Sequence, residues 1–451
     1  MLTAGIDIGT SGVRAVAFDT ARGSVVADAA LALPEGTRTA DGGHLIDDTD
    51  VVDAALRALG DVAAAAGTVE GVAVAGAAGT LCFRDADGNP CAAAVAYDDA
   101  RFGSGVERVR AWRERVPGAV RVVPIADAVL EALGAEPGHT DWTNALKLGW
   151  DPRDRCWPAA ARHLERERFL PGVEAPGAAA GGAATRAATG ATLVRGATDS
   201  CAMHLAAAGL TPGAWSVSLG STVTWKVAVP GSQSAVLDRL PLGAYAHRIT
   251  DDTWLAAAAS NTGGAVLTAL ESGADLEERD RDARIPTGYA AYPLARPGER
   301  FPVADPRFAG FGVPLPADGR FHGALLEGVA FVIRLGVERL AAAGLPPPQT
   351  IHLTGGGARS ATWMRVIADV LRRPVIPRPD AGPALGAALL AAAGAQGVPV
   401  NAVCDALPSK HHRAVEPNDS NNVERMATAY QAFVRQLLDI AIRRAHSPSR
   451  Q

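Results

Sequence analysis

The residues of this chain best suited to chemistry are two aspartates and three bends built from glycine and hydroxyl side chains. Asp7-Ile8-Gly9-Thr10-Ser11-Gly12 sets a carboxylate near the end of an apolar run and follows it with a small turn. Glycines let a backbone approach a phosphate closely, exposed amides point at its oxygens, and the hydroxyls of Thr10 and Ser11 add donors. The carboxylate repels phosphate and is suited instead to holding Mg²⁺ through water. Gly220-Ser221-Thr222 repeats the turn far along the chain, where it would grip the other side of the same phosphate chain. The third bend, Gly355-Gly356-Gly357-Ala358, lies between a strand and a helix and would let a flat ring rest on the backbone. Asp199 sits among small residues at the expected start of a helix. There it could accept the proton of an attacking hydroxyl, or serve only as the N-cap. Ordinary hairpins with small turn residues are the alternative for the first two bends.

Other phosphate and hydrolase devices are missing. The three lysines, Lys147, Lys226 and Lys410, never follow a glycine, so the GxxxxGK[ST] loop is absent. GxGxxG, HExxH and GxSxG are absent as well.

The elements that must carry these residues read as α/β. Ala4–Asp19 forms a hairpin that continues into a third strand at Ser24-Val25-Val26-Ala27. A helix is expected over 51–66 behind the cluster Asp47-Asp48-Thr49-Asp50, then a buried strand over 71–75. The small residues of 173–192 read as loop or weak helix, and Leu193-Val194-Arg195 as a strand leading to Asp199. Trp215–Val229 repeats the opening hairpin, which suggests two halves built alike. Helices are expected over 323–343, 361–372 and 423–444, with a further Ala-rich helix after Gly382 and a frayed tail over 446–451.

With 451 residues and 48% hydrophobic content, the chain can bury a sizeable core in two or more domains. A net charge of −5 gives no basic field for nucleic acid or an acidic membrane. Five cysteines with no CxxC spacing fit a reducing compartment better than a disulfide framework. No signal-peptide pattern opens the chain and no long charge-free apolar run crosses it, so a cytoplasmic protein is expected.

GIDIGTSGVRAVAFD, GATDSCAMHLAAAG, WSVSLGSTVTW, LTGGGARSATWMRVIADVL and GPALGAALLAAAG occur in the order found in the FGGY carbohydrate kinases, which the chain resembles along nearly its whole length. DWTNALKLGW, ASNTGGA and YPLARPGERFPVADP look most like the D-ribulokinase, xylulokinase-like branch. The resemblance implies two actin-like, ribonuclease-H-like lobes with a cleft between them, residues 1–208 and 209–451. The first would bind the sugar and carry the first phosphate hairpin and the catalytic aspartate; the second would carry the second hairpin and the adenosine turn. It implies Mg-ATP as donor and an open-chain ketose or polyol as acceptor, D-ribulose first and D-xylulose next. A homodimer stays open.

By the same resemblance Asp199 is the catalytic base, and Asp7 and Asp199 are the Mg²⁺ candidates. Gly9, Thr10 and Ser11 form the first phosphate loop, Gly220, Ser221 and Thr222 the second, and Gly355, Gly356 and Gly357 the adenosine turn. Tyr97-Asp98-Asp99-Ala100-Arg101 resembles a segment beside the sugar, which makes Asp99 and Arg101 substrate candidates, with Asn261 a third. For Asn261 a satisfied loop amide is the competing reading. Two departures bear on the acceptor: the loop after the strand at Val72 is Ala75-Gly76-Ala77-Ala78-Gly79-Thr80, where related kinases carry polar residues that would orient a polyol, and 116–141 is short. They keep open a nucleotide-binding sugar sensor or weakly active homologue. An actin- or chaperone-type ATPase is a third reading, against which the ribulokinase-like segments count.

Overall fold

The computed structural model describes residues 1–313, 320–406, 412–418 and 421–446. The chain divides into two compact units. The first comprises Met1–Leu210, His247–Leu255 and Ala381–Ser409; the second comprises Thr211–Ala246, Ala256–Asp380 and Lys410–Gln451.

The first unit opens with strands β1 (Leu2–Ile8), β2 (Gly12–Asp19) and β3 (Ser24–Ala32). Helix α1 (Asp48–Ala66) follows, begun three residues before the expected start because Asp47 caps it by accepting the Thr49 amide at 2.9 Å. Then come β4 (Gly71–Gly76), helices α2 (Gly105–Arg113) and α3 (Trp142–Leu148), strands β5 (Ala179–Gly182) and β6 (Thr192–Thr198), and helix α4 (Asp199–Ala208). The main sheet has the order β5-β6-β4-β1-β2-β3. The expectation of loop or weak helix over 173–192 is corrected: β5 lies in this segment as the antiparallel edge strand beside β6. Its small side chains suit an edge, where backbone pairing rather than side-chain burial makes the strand.

The register of these strands sets where their outgoing loops emerge. β1 pairs in parallel with β4, Ile8 opposite Gly76, and β4 pairs in parallel with β6, Gly76 opposite Thr198. Three parallel strands therefore end level, and the segments after Ile8, Gly76 and Thr198 leave one edge of the sheet together. In open α/β sheets such carboxyl ends are where ligands bind. A smaller five-stranded sheet in the same unit includes Leu81–Arg84 and Ala94–Val95, so it carries the segment 97–101.

The second unit repeats the plan. Strands β7 (Trp215–Leu219), β8 (Val223–Pro230), β9 (Ala244–Thr250) and β10 (Thr253–Ser260), of which the stretch His247–Leu255 is counted with the first unit, precede helices α5 (Gly264–Leu270), α6 (Leu276–Asp282) and α7 (Arg320–Ala342). β11 (Ile351–Thr354), α8 (Ala361–Leu371) and β12 (Val375–Pro377) follow. The sheet order is β9-β10-β8-β7-β11-β12, with β7 antiparallel to β8 and parallel to β11. Its hairpin turns at Gly220–Thr222 as the first turns at Gly9–Ser11. The expected hairpin repeat is thus a repeat of the sheet around it.

The chain then returns to the first unit as α9 (Pro383–Gln396), which packs on β1, β4, β6 and α4. A division after residue 208 places this helix with the second lobe; its packing is with the first. The contact is unusually close. A Cβ on Gly5 would meet Ala384 O at 1.9 Å, and one on Gly386 would meet Ala202 O at 1.8 Å, so only glycine fits either place. The last helix, α10 (Asn421–His446), belongs to the second unit, and the rest of the expected frayed tail lies outside the described residues. Among the described residues no single helix is long and apolar enough to cross a membrane.

Candidate active site

Two of the expected site residues meet at the level strand ends of the first unit. Asp7 is the penultimate residue of β1, and Asp199 is the first residue of α4, directly after β6. Gly9 N donates to Gly12 O at 2.9 Å and closes the bend that holds Thr10 and Ser11. The N-cap of α4 is Thr198, so the capping alternative for Asp199 is not how that helix begins; its Oδ1 accepts the Ser200 amide at 2.6 Å. Asp7 Oδ1 is buried and accepts no hydrogen bond among the described residues. Burial first, and the charge of Asp199 second, push the Asp7 carboxyl up to about 7 against the pull of Arg14. Two carboxylates that repel, one with an orphaned oxygen, fit a divalent cation: it would supply the missing partner and cancel the repulsion. Mg²⁺ suits such a pair, since it commonly takes one or two carboxylates and fills its shell with water and substrate phosphate.

The other strand-end segment is the Ala-rich loop. Ala77 N donates to Ile8 O at 3.2 Å and Thr80 N to Ala77 O at 3.2 Å. A cavity of about 160 Å³ beside it is lined by Thr10, His44, Asp47, Ala77, Thr80 and Tyr97, among others. Asp99 and Arg101 are engaged with each other. Asp99 accepts Arg101 Nη2 at 2.6 Å and the His44 amide at 2.8 Å. Burial works against the Asp99 charge, yet the hydrogen bonds from Arg101 and the His44 amide hold its carboxyl below the usual range. Arg101 also lies 4.8 Å from the Trp112 ring centroid. This pair braces the loop that presents Tyr97.

Arg108, which the sequence did not single out, donates to Gly79 O at 3.0 Å and Ala96 O at 2.7 Å. It joins the Ala-rich loop to the 97–101 segment. Nothing local marks it, since it is one of several arginines on α2.

In the second unit the two remaining bends come together. A cavity of about 990 Å³ is lined by Gly220 and Ser221 on one side and Gly356 and Gly357 on another. α5 supports the first bend through Gly264 N to Gly220 O at 2.8 Å and Ala265 N to Ser221 O at 3.1 Å. Gly355 has φ 82°, and a Cβ there would meet Leu219 O at 2.7 Å, so this turn demands glycine. Gly356 has no neighbour within 4 Å of where its Cβ would stand, which leaves room for a flat ring on the backbone. Asn261 lies elsewhere in its bonding: Nδ2 donates to Gly298 O at 2.9 Å, and Oδ1 accepts Arg300 Nε at 2.7 Å. Its amide is satisfied within the loop.

A ribonuclease-H-like sheet built twice, each copy with a glycine bend after its first strand, is the actin-like plan. Residues 222–395 match the C-terminal domain of the FGGY family of carbohydrate kinases. The chain is 28% identical to the xylulose kinase of Streptomyces coelicolor over 448 residues, 87% of each chain. It is 37% identical to that of Escherichia coli over 116 residues, 25% of this chain and 23% of the other. Its fold is shared with a xyloylose kinase from Brucella ovis, TM-score 0.84 at 22% identity, covering 98% of this chain and 100% of that one. It is shared too with Plasmodium falciparum glycerol kinase with ADP, TM-score 0.78 at 14% identity, covering 96% and 98%. Over residues 222–395 the chain carries the C-terminal domain of the FGGY carbohydrate kinases, and it resembles xylulose kinases over most of its length. It is therefore a sugar kinase, which moves a phosphoryl group from ATP to an alcohol.

Proposed function

We propose that this kinase phosphorylates the terminal hydroxyl of a ketopentose, D-xylulose ahead of D-ribulose. The order expected from the sequence is reversed because relatives over most of the chain are named xylulose kinases. The observation that carries the reading is the level ending of β1, β4 and β6, which brings Asp7 and Asp199 into electrostatic contact.

In this reading Asp199 accepts the proton of the acceptor hydroxyl as its oxygen attacks the γ-phosphorus. Asp7, with Asp199, holds Mg²⁺ through water; the bound ion would spread the charge that develops on the transferred phosphoryl group. Thr10 and Ser11 donate to phosphate oxygens, and the bend at Gly9 admits the phosphate close to the backbone. The cavity bordered by Gly220, Ser221, Gly356 and Gly357 takes the nucleotide, its base against the Gly356 backbone. The small cavity beside Ala77, Thr80 and Tyr97 takes the acceptor, and the Asp99–Arg101 brace keeps Tyr97 in place.

The test is an ADP-release assay on the full chain with D-xylulose, D-ribulose, other ketoses and polyols. Release stimulated by D-xylulose more than by any other sugar supports the proposal. Equal release with and without sugar would make the protein an ATPase, and ADP binding without release on any sugar would make it a sensor; either result overturns the reading.

A further inference from the structure

α6 forms one wall of the large cavity in the second unit through Leu276, Glu277, Asp280 and Arg281. It buries none of its residues, so apolar packing does not hold it in place. Its attachment runs through Asp280. The Asp280 carbonyl accepts Thr362 Oγ1, from the first turn of α8, at 3.2 Å. The Asp280 carboxylate meets His322 Nε2 at 2.8 Å, and the other ring nitrogen, Nδ1, meets Glu271 Oε2 at 2.6 Å.

His322 stands in the first turn of α7, with its side chain 3% exposed and that of Glu271 4%. An imidazole donates from both nitrogens only when it is charged. Burial opposes that charge, but the hydrogen bonds to Asp280 and Glu271 outweigh it and push the imidazole up to about 9. Among the described residues these two carboxylates, one at the end of α5 and one on α6, are the ionisable groups bonded to the ring. On the neighbouring elements Thr362 is uncharged, Arg281 bonds back to Glu277 O at 3.3 Å, and Glu277 and Arg359 border the cavity.

Glu271 caps the carboxyl end of α5. The amino end of that helix holds the Gly220–Ser221 bend, and the helix itself lines the cavity through Ala265, Leu267 and Thr268. One imidazolium thus ties two walls together, and the third, at the start of α8, is tied to Asp280 by Thr362.

We propose that His322 is a positioning residue for the nucleotide: by joining Glu271 to Asp280 it fixes the spacing of α5 and α6 and so the width of the cavity that takes adenosine. The proposal rests on the reading of this cavity as the nucleotide site.

The test measures the Kd of a fluorescent ADP analogue, without sugar, on the full chain. His322→Gln should weaken binding about tenfold at pH 7.5 and leave the KM for sugar within twofold. Raising the pH from 7.5 to 10 should weaken binding to the unsubstituted protein toward the level of the variant, whose own Kd should stay flat. A folded H322Q protein whose Kd matches the unsubstituted protein within twofold at both pH values would overturn the proposal. If H322Q does not fold, Asp280→Asn keeps an acceptor but removes the charge, and it should give the same direction with a smaller loss; an unchanged Kd there would overturn it equally. Gly356→Trp, which fills the cavity, separates the two readings. If it leaves ADP binding intact, the nucleotide assignment fails and this proposal with it; if it abolishes binding while H322Q does not weaken it, only the role of His322 is refuted.

Discussion

The two glycine bends each close an antiparallel hairpin and differ in what surrounds them. In the first unit the bend follows a strand carrying Asp7, and a second carboxylate, Asp199, begins the helix after β6. In the second unit the residue in the place of Asp7, two before the glycine, is Ser218, and the neighbouring parallel strand runs into Gly355-Gly356-Gly357. One copy of the scaffold concentrates like charge at its strand ends, whereas the other clears space there. The fold supplies a site twice, and the residue at the strand end decides whether that site handles charge or shape.

The contrast between the units is widest at Asp199. Asp199→Asn should lower kcat by about 10²–10⁴-fold, the usual worth of a general base, while the Kd for ADP changes less than twofold; steady-state kinetics with a parallel binding titration reads both. In the second unit shape should matter instead. Gly355→Val forces a side chain into positive φ and against Leu219 O, and thermal melting should show a loss of at least about 2 kcal/mol together with weaker ADP binding. Gly356→Ala, one residue on, should stay within about 0.5 kcal/mol.

Stability should also respond to pH in a way that belongs to the second unit. The folded His322 titrates near 9 against an ordinary value of 6.5. Its contribution is therefore complete below pH 6.5 and is lost as pH rises through 9. Melting temperature followed from pH 6 to 10 should fall over that upper range, and the fall should vanish in H322Q. Asp7→Asn should act oppositely to most core substitutions. It removes a buried charge that Asp199 repels, so the melting temperature at pH 8 should rise by about 2–4 °C while kinase activity falls. A modest effect is expected at Ser360, whose side chain accepts the Trp363 amide at 2.9 Å. Ser360→Ala should cost about 1 kcal/mol in melting experiments.

What the sequence disclosed follows the same division. Both hairpins, the strand into Asp199 and the helix after Ser360 were legible because short-range patterns specify them: alternating apolar runs, small turns, a hydroxyl cap. The gathering of Gly220, Ser221, Gly356 and Gly357 around one cavity was expected only through the family resemblance, which made one bend a phosphate loop and the other an adenosine turn. β5 was not legible, because Ala179–Gly182 has no large side chain and becomes a strand only by pairing with β6. The destination of α9 was hidden as well, since an Ala-rich helix apolar on every side shows no face. The His322 bridge joins residues 42 and 51 positions apart, and no local motif announces a buried cation at such distances. Asp99 and Arg101 were found as a pair of polar residues by resemblance, but their mutual bonding is visible only in three dimensions.

The late return of the chain as α9 bears on any attempt to dissect this enzyme. A fragment ending at residue 210 would keep every strand of the main sheet, yet it would expose the furrow at Gly5 and Gly71 into which α9 settles. Thr3 Oγ1 would lose Ala388 O, its partner at 3.0 Å, and an apolar sheet face would be left to water. The amino-terminal half is therefore no independent module: its core is completed only by a stretch of polypeptide made roughly 170 residues later.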